Sequence, residues 1–164
     1  SVASWKAFGA DPDWKAARAA SEAGGKIVAK VESVFLTPTD FSPQSASVTS
    51  AGGKQVYELR TYTAAEGKLP ALNARFRDHT RALFEQHGMT NVIYTHPIDA
   101  DKGAGTTLVY LLSHSSRDAA TKSWAAFRAD PLWVKAKGES EKAGVLTAKV
   151  ESVFLAPTDF SALK

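Results

Sequence analysis

With 164 residues, 44% hydrophobic and 23% charged, the chain can bury a core without metal or disulfide staples. It has no cysteine, which excludes thiol catalysis, disulfides and thiolate metal sites but leaves the compartment open. A net charge of +3, with lysines and arginines scattered among acids, provides no basic stripe for nucleic acid, and no apolar run reaches membrane-span length.

From the N-terminus, residues 5–24 read as a helix broken at Asp11-Pro12, and Lys26 to Phe35 as a strand. This stretch recurs. Ser4 to Ser42 and Ser123 to Ser161 align without a gap at an offset of about 119 residues, identical at roughly 25 of 39 positions. AKVESVFL and PTDFS are shared whole. The offset exceeds that of stacked solenoid repeats and points to a duplicated domain. Residues 1–42 are therefore expected to be the second half of a first unit, 43–54 a linker and 55–164 a complete unit. The first unit is expected to be cut short, by proteolysis or by a partial duplication. The linker reading rests on PQSASVTSAGGK, which is small, polar and glycine-tipped.

The complete unit opens with an alternating strand, QVYELRTY at Gln55 to Tyr62. Tyr57, Leu59 and Thr61 lie on one face, and Val56, Glu58, Arg60 and Tyr62 on the other. Residues 67–87 form a helix with an apolar stripe of Leu69, Leu72, Phe76, Leu83 and Phe84, Pro70 in its first turn and Gly88 past its end. Met89 to His96 is a second strand. A polar turn over 99–105 leads to a third, Thr106 to Ser113, expected to be buried on both faces. Residues 116–143 are helical with a restart at Asp130-Pro131, where the aspartate is read as a cap rather than a catalytic acid. Leu146 to Leu155 is the last strand.

The order is βαββαβ, an α+β ferredoxin-like unit with a four-stranded antiparallel sheet, plus the N-terminal α-β half-copy. Helices cover one sheet face, so the other needs a mate, and self-association as a homodimer or higher is expected. A lone half-copy strand must join a sheet edge, here expected on another molecule.

The YELRTY strand, FRADPLW at Phe127 to Trp133 (FGADPDW at Phe8 to Trp14), VESVFL and PTDFS together resemble the NIPSNAP family over nearly all of the complete unit and the half-copy. That resemblance implies a dimeric α/β barrel in which two ferredoxin-like sheets face each other, with no activity established for the family as a whole. Its wider superfamily includes cofactor-independent monooxygenases, haem-degrading enzymes and small isomerases. It also implies a soluble protein, mitochondrial if eukaryotic, cytoplasmic or periplasmic if bacterial.

The candidate ligand-binding residues are Tyr57, Glu58, Arg60, His79, Tyr94, His96 and Tyr110. His79 falls between Phe76 and Leu83 on the helix stripe and is expected to face the sheet. It is either a general base or haem ligand in a cavity there, or a core histidine satisfied by a neighbour. Glu58 and Arg60, two apart on one strand face, either bind a polar ligand or form a structural ion pair. The strand tyrosines, with His96 sharing a face with Tyr94, either line an aromatic pocket or pack the core. Trp124, Phe127 and Trp133 recur as Trp5, Phe8 and Trp14 and are read as core anchors. No metal spacing or phosphate-binding glycine loop is present. Two functions stand side by side. One is a small-ligand-binding or interaction domain taking an apolar or aromatic ligand and needing no cofactor; the other is a cofactor-independent monooxygenase- or isomerase-like enzyme, or a haem-binding protein.

Overall fold

Proline and aspartate punctuate the helical stretches of the two repeat copies in the same way. In the N-terminal one, α1 (Val2–Ala10) ends before Asp11, whose carboxylate accepts from the amides of Asp13 and Trp14 at 2.9 and 3.0 Å, and α2 (Pro12–Ser21) restarts. A computed structural model describes residues 2–44, 55–161 and 163 and divides the chain into two compact units, Ser1–Ser33 and Val34–Lys164. All but Pro43 and Gln44 of the expected linker lies outside the described residues.

The first unit holds α1 and α2. The strand expected over Lys26 to Phe35 is absent: the backbone is irregular and nearly all exposed. Identical residues in the second copy do form a strand, because there a neighbour supplies the hydrogen-bond partners that an extended backbone requires. Only β1 (Leu36–Pro38), already part of the second unit, is a strand, and the edge it joins belongs to the same chain.

The second unit continues with β2 (Val56–Ala64), then a single helical run made of α3 (Leu69–Arg75), a π-helical turn (Phe76–Thr80) and α4 (Arg81–Gln86). β3 (Thr90–Pro97) and β4 (Thr107–His114) form a hairpin across a short 3-10 turn, with Gly103 and Gly105 in the left-handed region. α5 (Arg117–Ala129) is capped by the Ser116 hydroxyl, α6 (Pro131–Ser140) by Asp130, and β5 (Thr147–Leu155) closes the unit.

The sheet is antiparallel throughout, ordered β1-β3-β4-β2-β5. Without β1 this is the ferredoxin-like order, so the expected four strands become five among the described residues by addition of the arm. Phe76, Phe84, Tyr94, Tyr110, Trp124 and Phe127 fill the layer between helices and sheet. Phe76 meets Tyr110 edge-on at 5.2 Å, and Tyr94 stacks on Tyr110 at 5.1 Å. Such aromatic pairs contribute about 0.5–1.5 kcal/mol each beyond simple burial.

Candidate functional site

Strand alternation sends Glu58, Arg60 and Tyr62 of β2 toward the helices. Glu58 is fully buried, and its two oxygens take four donors from four separate elements. Arg60 Nη1 and the Ser152 hydroxyl (2.6 Å) reach Oε1; Trp124 Nε1–H (2.7 Å) and His114 Nε2 (3.1 Å) reach Oε2. Burial alone would raise this carboxyl. The donors from His114, Ser152, Trp124 and Arg60 outweigh it and hold the group at about 2. An ionised, fully satisfied carboxylate has no lone pair left for a substrate proton, so Glu58 acts as a structural knot. Because the carboxylate can only accept, His114 must donate through Nε2, leaving its buried Nδ1 without a hydrogen-bond partner.

Arg60 extends from this knot. Its guanidinium lies 4.2 Å over the Trp124 ring and 5.4 Å from the Tyr62 ring, and Nη2 donates to the Tyr62 hydroxyl at 3.2 Å. Its Nε has no partner. Arg60 and Tyr62 form the floor of a cleft of about 560 Å³ walled by Trp124, Phe127 and Arg128 of α5 and by Trp133 and Lys137 of α6. Around the far side of Trp124 a smaller recess adds Arg117, with its guanidinium 3.3 Å over the Phe154 ring. The acid in the cleft, Glu141, is already bound by the buried Arg75 at 2.8 Å. Four cations line the cleft and the recess, two of them already facing acids (Arg60 with Glu58, and Lys137 with Glu141 at 4.0 Å), and the surplus of positive charge is a setting for an anion with an aromatic or apolar body.

The other candidates lie elsewhere. Tyr94 and Tyr110 are fully buried core rings, and burial raises both phenols. The Tyr94 hydroxyl donates to Asn91. His96 shares the helix-facing side with Tyr94, as expected. Its Nδ1 donates to the Thr107 carbonyl at 2.7 Å and its Nε2 accepts from Asn73 at 3.1 Å, so both nitrogens are committed. Tyr57 alternates onto the opposite sheet face. Of the seven candidates, only Glu58 and Arg60 are brought together at the cleft.

His79 does not face the sheet. The π turn takes one more residue than an α turn, so the residue three past Phe76 falls short of the apolar stripe and Thr80 occupies it instead. Arg81 N–H bonds back to the Phe76 carbonyl, and the Thr80 hydroxyl to that of Arg75 at 3.1 Å. His79 is exposed in a groove of about 330 Å³ shared with Asp78, Lys135 and Glu139. Leu83, Leu132 and Ala136 also line it, and a groove of this volume is too small to enclose a haem on both faces of its ring. Among the described residues no three His, Asp or Glu side chains converge to hold a metal ion, and no helix is long and apolar enough to cross a membrane.

Sequence reasoning missed His114, Ser152 and Arg75, and took Trp124 only as a core anchor. One signal was present for Arg75: a charge at a stripe position, beside Phe76 and three residues after Leu72, must be paired when buried.

The model of the NIPSNAP family matches residues 57–162. Among solved structures, a NIPSNAP family protein of unknown function from Agrobacterium tumefaciens is 24% identical, with 69% of this chain and 96% of that one covered and a TM-score of 0.58. A second structure of that same protein is 25% identical over 66% of this chain and 99% of its own, with a TM-score of 0.57. An uncharacterised NIPSNAP-like domain protein from Burkholderia xenovorans is 16% identical over 66% and 89%, also at 0.57. Among curated proteins none matches the chain.

Proposed function

Because this chain belongs to the NIPSNAP family, we propose that its complete unit is a small-ligand-binding domain that takes an aromatic or apolar anion in the Trp124 cleft and assembles sheet to sheet. One observation carries the ligand reading. Arg60 is held by Glu58 and its guanidinium is clamped against Trp124 at the floor of a cleft that Arg128 and Lys137 also line. A carboxylate or phosphate entering there meets preorganised donors, and the aromatic walls take the body of the ligand.

Arg128 and Lys137 are the residues to change, because Arg60 also neutralises Glu58 and its loss would disturb the fold. With 1-naphthoate as probe and calorimetry as readout, the Arg128→Ala, Lys137→Ala double variant is expected to bind about tenfold more weakly than the native chain. Neutral 1-naphthalenemethanol is expected to bind the native chain more weakly than 1-naphthoate. An affinity for naphthoate that is indifferent to the double substitution would place the ligand elsewhere.

The assembly reading rests on the opposite sheet face. Cross-strand registry lines up Ile93, Leu111, Leu59 and Val153 across four strands. Leu59 is 36% exposed, Ile93 39% and Val153 54%. A continuous apolar row on a face without helices is a surface for a second sheet. The sheet of another copy of this unit presents the same row and satisfies it by symmetry. The enzyme alternative rested on His79 and the strand tyrosines near one cavity; here His79 lines a separate groove and Tyr94 and Tyr110 are packed in the core, which favours the binding reading.

A further inference from the structure

The arm that ends the first copy of the repeat is seated on a sheet edge in a specific way. Leu36, Thr37 and Pro38 pair antiparallel with Pro97, His96 and Thr95 of β3. Beyond them, Thr39 N–H donates to the Tyr94 carbonyl at 2.9 Å, and Tyr94 N–H donates to the Ser42 hydroxyl at 3.0 Å. Phe41 is only 4% exposed and lies against the Tyr94 ring at 5.5 Å. Asp40 receives Nε and Nη2 of Arg77, both at 2.9 Å, and the same guanidinium covers the Phe41 ring at 5.4 Å. Three kinds of recognition converge on one seven-residue segment: strand addition, an aromatic anchor and a bidentate acid–arginine pair.

That segment exists twice. Leu36, Pro38, Thr39, Asp40, Phe41 and Ser42 recur as Leu155, Pro157, Thr158, Asp159, Phe160 and Ser161. The second version begins at Leu155, the last residue of the edge strand β5, and its anchor ring is 87% exposed, against 4% for Phe41. A phenylalanine held in water within a motif whose twin is buried indicates a docking element away from its groove.

We propose that Leu155 to Ser161 is a second docking motif, and that its receptor is the β3 edge of another copy of this chain, which it enters when that copy's own arm lifts off. The two motifs compete for one groove. The arm in place caps an edge strand that would otherwise be open to pairing, and its release converts the groove into a site that links chains. Tethering favours the arm of the same chain, so exchange requires that arm to be weakened or the competing motif to be abundant.

The first test uses a fluorescein-labelled peptide of residues 152–163 and the full chain carrying Asp40→Ala and Phe41→Ala. Anisotropy is expected to show saturable binding to this variant, at least tenfold tighter than to the native chain, and loss of binding when the peptide carries Phe160→Ala. The variant's mass should exceed that of the native chain at the same concentration and return to the native value when Phe160→Ala is added to it. A variant with native circular dichroism that ignores the peptide would overturn the proposal, as would equal binding to native and variant chains. Should the variant not fold, the native chain decides. Peptide at a concentration above that of a tethered segment, on the order of millimolar, must speed amide exchange over residues 36–42, and the Phe160→Ala peptide must not. Unchanged protection there refutes competition for the groove.

Discussion

Glu58→Gln is expected to destabilise the second unit by about 3 kcal/mol, lowering its thermal midpoint by roughly 10 °C. An amide presents one acceptor oxygen and two N–H donors to a site built of four donors, so two of those donors lose their partner and the Arg60 charge is left buried without its counter-ion. Trp124→Phe, which removes one donor and keeps most of the packing, should cost about 1 kcal/mol. The same knot sets the acid limb of stability. The Glu58 carboxyl sits at about 2 when folded, below its ordinary 4.5, so the unfolded chain takes up the proton first as pH falls. Its contribution, on the order of 3 kcal/mol, is complete above pH about 4.5 and is lost between there and about 2. Denaturant unfolding followed from pH 6 to pH 2.5 should show this loss in the native chain and a flatter profile in Glu58→Gln.

Leu59→Glu is expected to break the proposed sheet-to-sheet association while leaving the unit folded. Leu59 stands in the middle of the exposed row, directly opposite Leu111 on one side and Val153 on the other. In a paired assembly each copy would bring a carboxylate to the centre of a dry interface, where burying an unpaired charge is prohibitive. Sedimentation at tens of micromolar should give the native chain a mass above that of one chain and the variant the mass of one. The dissociation constant is expected to rise at least a hundredfold, about 2.7 kcal/mol. Because the side chain is already 36% exposed within one chain, the thermal midpoint of the isolated unit should change little. A native chain that sediments as a single copy at every concentration would remove this face from the account.

Local chemistry was legible in the amino-acid order, and long-range chemistry was not. Asp11-Pro12 and Asp130-Pro131 announce a cap and a restart, and both are found. The aromatic triads go further. Trp5–Phe8 and Trp124–Phe127 centroids lie 5.9 and 5.7 Å apart, and Phe8–Trp14 and Phe127–Trp133 lie 4.6 and 4.5 Å apart. The first triad keeps this geometry although Trp5 is 65% exposed, so it is encoded by the helix–cap–helix turn and not by the core. The failure at Lys26 to Phe35 has the opposite cause: a strand is a relation between two segments, and only the end of this one is met, where the Phe35 carbonyl accepts from Ile98 N–H at 3.1 Å. The outward turn of His79 was hidden because a π turn leaves the apolar periodicity on either side intact and shifts only the residues inside it. The Glu58 knot was hidden because its donors come from β2, β4, α5 and β5, up to 94 residues away. Arg60 was found because an arginine two residues from a glutamate on one strand face is a visible pair; the tryptophan that makes it a site lies 64 residues further on.

The two triads make the cleft directly testable, since only the second has Arg60 beneath it. The four tryptophan indole N–H signals of the full chain, assigned by single Trp→Phe variants, can be followed by nitrogen-15 NMR during titration with 1-naphthoate. Saturable movement of Trp124 and Trp133, with Trp5 and Trp14 unmoved, is the predicted result. Equal drift of all four signals, or none in Trp124, would contradict a ligand site built on Arg60.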